Sequence, residues 1–115
     1  MQIMNIEQLE NFQLHDYVIT SIALAVEIRT VDIRVAIYNE QHHNCDELRL
    51  IFTGISTLSW DIGGEWDELE IYSHEVTHEK GVATVSFCLL LGSDKPSATL
   101  VLTFTECSIE LVSKV

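Results

Sequence analysis

Apolar residues recur at every second position through most of this chain, and that period restricts its fold more than any other feature. Val18, Ile22, Leu24, Val26 and Ile28 share one parity, interrupted by Thr20, and Val31, Ile33, Val35 and Ile37 share another. Leu48, Leu50 and Phe52 alternate next, Gly54 breaks the run, and Leu58, Trp60 and Ile62 resume it. Val85, Phe87, Leu89 and Leu91 are in phase, with Cys88 and Leu90 on the other face, so cover on both sides is expected there. Ala98, Leu100, Leu102 and Phe104 follow, and Ile109 and Leu111 extend a last segment. A period of two places alternate side chains on one face of an extended strand. The connections are too short for helical crossovers, which leaves antiparallel pairing. The expected fold is mainly β: an antiparallel β-sandwich or flattened barrel of seven to eight strands.

A short helix precedes the strands. Asn5 can accept from a freed N–H, Gln8 holds the reciprocal capping position, and Ile6, Leu9 and Phe12 recur at helical spacing up to an end near Leu14. The parity switch at Arg29-Thr30 predicts a tight turn or a bulge. Residues 40–47 read as a polar loop, Gly63-Gly64 and residues 92–96 as turns, and Gly54 as a bulge or bend. Residues 69–78 fit two patterns. A strand sets Tyr72, His74, Val76 and His78 on one face, whereas a helix aligns Trp66, Leu69, Ser73 and Val76 and ends at Gly81. The strand formers Ile71-Tyr72 and Val76-Thr77 favour the strand, and a helix-rich α+β fold is the alternative.

Composition narrows the function classes. The 115 residues predict one domain, 1–115, and an apolar share of 47% is too high for a disordered acidic chain. Six Lys and Arg against eighteen Asp and Glu give a net charge of −12. Nucleic-acid binding and docking on an anionic membrane both need a cationic footprint, so neither is expected. No secretory signal and no long uncharged apolar stretch is visible, which predicts a cytoplasmic protein. Cys45, Cys88 and Cys107 make no CxxC pair and read as reduced thiols, Cys88 as a small buried hydrophobe. His42 and His43 lie close to Cys45, but short coincidences of this kind carry little weight.

Three runs bear on chemistry. His74-Glu75-Val76-Thr77-His78 satisfies the H-E-x-x-H pattern, in which a helix brings two His to one zinc while Glu activates the bound water. On a strand the two imidazoles stand about 13 Å apart, too far for one metal, and no His follows as a third ligand; only Glu106 and Glu110 offer acids later. A small zinc-dependent hydrolase is therefore the less favoured alternative, and no metal, cofactor or catalytic residue is expected. The second run is acidic, with Asp61, Glu65, Asp67 and Glu68 around Trp60 and Trp66 and no Lys or Arg before Lys80. Its spacing is not that of an EF-hand. Aromatic anchors in a field of one sign suit a basic protein partner, with Trp60, Asp61, Glu65, Trp66, Asp67 and Glu68 as the binding set. The bland alternative is a solvated face with one Trp buried. The third run, Leu14-His15-Asp16, lacks a nucleophile motif and reads as structural: Asp16 caps the turn and His15 bonds to backbone.

The Leu14-His15-Asp16 stretch leads into the alternating segment 18–37, and residues 48–55 give a strand-Gly-strand run. In these features the chain resembles a loose group of small bacterial β-rich domains, several of them similar to immunity proteins of polymorphic-toxin systems. The resemblance implies a β fold and a binding role, supplies no catalytic residues, and makes the His74–His78 run incidental. The expectation is an acidic cytoplasmic binding module that neutralises or recruits a basic partner. A structural domain that homodimerises by edge-strand pairing is the alternative.

Overall fold

The alternating segments each become a strand, because burying every second residue of all of them at once requires only that the sheet bend over itself. The computed structural model describes residues 2–39, 44–62, 65–92 and 96–112, side chains excepted at 38–39, 44–45 and 96–97. In chain order the elements are β1 (Gln2–Met4), α1 (Ile6–Asn11), β2 (Val18–Ala25), β3 (Thr30–Asn39), β4 (Asn44–Thr53), β5 (Thr57–Ile62), β6 (Leu69–Glu79), β7 (Val82–Leu90), β8 (Pro96–Phe104) and β9 (Glu106–Val112). All strands pair antiparallel in one sheet of order β1-β9-β4-β3-β2-β6-β7-β8-β5. The ninth strand, beyond the expected seven to eight, is β1; its three residues are too short to register as a period.

The bend lies between β2 and β6, which pair only through Val18↔Glu70 and Ile19↔Leu69. It divides the sheet into two layers, β1-β9-β4-β3-β2 and β6-β7-β8-β5, packed as a flattened sandwich. Phe52 of β4 meets Phe104 of β8 edge-on at 4.9 Å and Phe87 of β7 at 6.4 Å. Around these rings Val31, Ile33, Leu50, Ile71, Val85, Leu89 and Leu102 are fully buried. Burial of such side chains contributes about 1.5–3 kcal/mol each before conformational entropy is counted.

The chain crosses between layers at Gly54 and again at Thr105, and these crossings touch. Gly54 has φ +67, and a Cβ there would stand 2.0 Å from Thr105 Oγ1. Thr105 in turn bonds the Thr53 carbonyl through its backbone N–H at 3.0 Å and its hydroxyl at 3.2 Å. The expected bend at Gly54 is thus a close approach that a side chain would obstruct.

Residues 69–78 are a strand. Ile71, shielded fully, and Val76 face the core, and β6 turns into β7 through Lys80 and Gly81, whose φ values of 52 and 82 match a type I′ hairpin. The helix α1 carries the expected reciprocal cap, Asn5 with Gln8, but it stops at Asn11 rather than near Leu14, because Phe12 is already extended.

Three readings of the strands need correction. A bulge between Ile19 and Ser21 shifts the parity of β2 at Thr20, so Ile19 rather than Val18 enters the core. Val26 and Ile28 are not core residues; they lie in the β2–β3 turn, 74% and 70% exposed, and Arg29 takes a left-handed φ of 50 to close it. Residues 44–47 belong to β4 rather than to a loop. Residues 40–43, Gly63-Gly64 and residues 93–95, expected in loops or turns, lie outside the described residues, as does the Cys45 side chain.

Cys88 is half-buried on the outer face of β7, so the buried hydrophobe is Cys107, whose thiol burial pushes up to about 12. On the outer face of β3, β4 and β9, Arg49 bonds Asp32 at 2.7 Å and Glu110 at 3.4 Å, and Arg34 pairs with Glu47 at 3.5 Å. The hydrogen bond to Asp32, aided by that residue's charge, raises the Arg49 guanidinium above its ordinary value. No helix among the described residues is long and apolar enough to cross a membrane.

Candidate functional site

The H-E-x-x-H run lies in β6, where the ladder fixes its geometry. His74 pairs with Phe87 and His78 with Ala83, four residues further along the strand. His74 Nε2 donates to the Leu9 carbonyl at the end of α1, 2.8 Å away, and the ring stacks on Phe87 at 6.2 Å. A nitrogen that donates to a carbonyl carries a proton and is not a metal ligand. Glu75 alternates to the opposite face and is exposed, as is His78 beside the hairpin turn. Among the described residues no three His, Cys, Asp or Glu side chains gather as metal ligands. These observations weigh against the zinc-hydrolase alternative.

His15 and Asp16 occupy the turn before β2, not a strand, so their side chains do not diverge to opposite faces. His15 Nδ1 donates to the Tyr72 carbonyl at 2.5 Å, Nε2 stands 3.2 Å from Asp16 Oδ1, and the ring meets Tyr72 edge-on. Asp16 has φ 73 and donates its backbone N–H to the Ile71 carbonyl at 2.9 Å. The pair fastens the entry of β2 to β6: His15 bonds to backbone as expected, but to that of distant β6, and Asp16 acts through its backbone N–H rather than through a side-chain cap.

The acidic aromatic run behaves differently. Trp60 sits on β5, opposite Leu100 of β8, on the inward-facing side of the sheet. At that edge nothing covers it fully, and it stays 38% exposed; Trp66, in the segment leading to β6, is 53% exposed. Neither Trp is therefore buried, so the buried Trp of the bland reading is absent, whereas the solvated face it expects is present. Beyond its contact with β6, β2 diverges and leaves a groove facing β5. At one end Ile22, Leu24, Leu58, Trp60 and Leu100 line an opening of about 260 Å³. At the other, Ile19, Thr20, Ser21 and Ile22 of β2 face Trp60, Trp66, Asp67, Glu68 and Leu69. The two openings share Ile22 and Trp60, so they form one groove, apolar at one end and acidic at the other.

Four of the six residues expected to bind a partner thus come together: Trp60, Trp66, Asp67 and Glu68. Asp61 and Glu65 are exposed nearby but do not line the groove. The described cations are Arg29, Arg34, Arg49 and Lys80, and none lines it either. Arg34 and Arg49 are committed to carboxylates on the outer face.

Sequence reasoning missed the second wall, Ile22, Leu24, Leu58 and Leu100, because alternation assigned all four to a closed core. The sequence of β2, VITSIALA, carries no charge to mark the loss of cover; only its burial pattern in the structure shows the cover fading along its length. The apolar end, four aliphatic side chains and one indole, fits an apolar side chain of a partner better than a small ligand held by convergent polar groups. Comparisons with protein-family models, with curated proteins and with solved structures each return no match.

Proposed function

We propose that this protein is an acidic binding module that captures a basic protein partner in the groove between β2 and β5, in the manner of an immunity protein covering its target. The observation that carries the reading is the joint exposure of Trp60 and Trp66 on one groove, beside Asp67 and Glu68 and with no described Lys or Arg among its lining residues. Large exposed aromatics with apolar neighbours make binding anchors, since they desolvate much area at little entropic cost. The acidic field accelerates encounter more than it tightens the complex. Encounter is therefore charge-steered, and docking of Trp60 and Trp66 follows.

The test compares proteins retained by the wild-type chain with those retained by the Trp60→Ala/Trp66→Ala double variant, then follows association of the retained partner against salt. The expected partner is basic, lost with the double variant, and slower to associate by roughly tenfold or more as added salt shortens the Debye length. A partner retained equally by both chains, or an association rate indifferent to salt, contradicts the reading.

A further inference from the structure

We propose that the basic partner enters this groove as an extended segment that pairs with the free edge of β2, adding a strand to the sheet. The inference rests on the partner reading above and specifies how the partner binds. On one side β2 is paired with β3 along its length, whereas on the other β6 reaches only Val18 and Ile19. Residues 20–25 therefore present a row of backbone donors and acceptors with no strand beside them among the described residues. Proteins ordinarily guard such rows with shortness, charge, proline or bulges, because an unguarded edge recruits other chains. The sheet's two outer edges follow that rule: β1 is three residues long, and β5 carries Asp61. Between Val18 and Ala25 there is no charged residue and no proline, and the one bulge falls before Ser21. The open stretch is thus less guarded than either outer edge of the sheet.

The groove beside it explains what an added strand would gain. A segment lying along residues 20–25 directs every second side chain toward Ile22, Leu24, Leu58, Trp60 and Leu100. Its remaining side chains and its flanks lie in the field of Asp67 and Glu68 at the groove's acidic end. The matching occupant alternates apolar residues with Lys or Arg. A second copy of this chain fits poorly, since pairing two such edges brings two net charges of −12 together.

The experiment uses the full chain labelled with ¹⁵N and two synthetic probes: a short peptide alternating Lys with Ile or Val, and its twin of equal charge with alternate backbone nitrogens methylated. The unmethylated peptide is expected to bind at least roughly tenfold more tightly than its twin and to slow exchange at alternate amides within residues 20–25. Equal binding of the two peptides, both weakened by Trp60→Ala, overturns strand addition while leaving the partner reading intact. Failure of both peptides to bind, or binding indifferent to Trp60→Ala, overturns the inference together with the groove as a site for basic partners. Protection of the same amides in the chain alone, rising with its concentration, makes a second copy the occupant and also overturns the inference.

Discussion

His74 Nε2 donates to the Leu9 carbonyl across 2.8 Å, joining the middle of β6 to the end of α1. The bond makes the first His of a zinc-like run a tether for the helix. His74→Ala removes a part-buried hydrogen bond and the contact with Phe87, and is expected to destabilise the fold by about 1–2 kcal/mol in denaturant titration. Added zinc should leave the thermal midpoint of the wild-type chain unchanged. A zinc-dependent rise lost in His74→Ala would restore the metal reading.

Gly54→Ala places a methyl group 2.0 Å from Thr105 Oγ1 at a left-handed φ. Strain and overpacking together predict a loss of about 2–4 kcal/mol. Thr105→Ala in the same chain removes the closest obstruction, so the double variant should recover part of that loss. Simple additivity of the two substitutions, measured by denaturation, would show that the crossings do not obstruct one another.

Cys107 sets an alkaline limit. Its thiol is raised by burial from 9.0 to about 12, so between those values the folded chain keeps a proton that the unfolded chain has released. Stability from this group is complete below pH 9 and declines as the pH rises toward 12, with a slope approaching about 1.4 kcal/mol per pH unit. Cys107→Val, compared with wild type by urea denaturation across that window, should show the shallower decline. Parallel curves would contradict the assignment.

The field around the two Trp residues can be read from fluorescence quenching. Both indoles are exposed beside carboxylates, so caesium should quench them better, relative to iodide, than it quenches a free tryptophan amide. The preference should fade as salt is added. Iodide quenching as efficient as that of the free amide would mean that the field is absent.

Much of the architecture was legible because burial imposes a period of two: Val31, Ile33 and Val35, then Val85, Phe87 and Leu89, go to the core as their spacing predicts. The failures occur where a strand leaves its neighbours. Leu24, half-exposed at the groove, and then Val26 and Ile28 in the turn continue the alternation of β2 to where the cover of the second layer thins out, and composition alone does not report where cover ends. Bulges are equally silent; the one at Thr20 exchanged Val18 for Ile19 without a glycine to mark it. Trp66, Asp67 and Glu68 at the acidic end of the groove are contiguous in sequence, so they could be grouped in advance, unlike the β2 residues that face them. The apolar half draws on β2, β5 and β8, which only the bend between β2 and β6 brings together.

Amide chemical-shift mapping of the labelled chain with its basic partner tests the central claim most directly. The account predicts that the largest changes fall on Ile22, Leu24, Leu58, Trp60, Trp66 and Leu100. Changes confined to the outer face of β3, β4 and β9, around Arg34 and Arg49, with the groove unperturbed, would contradict it.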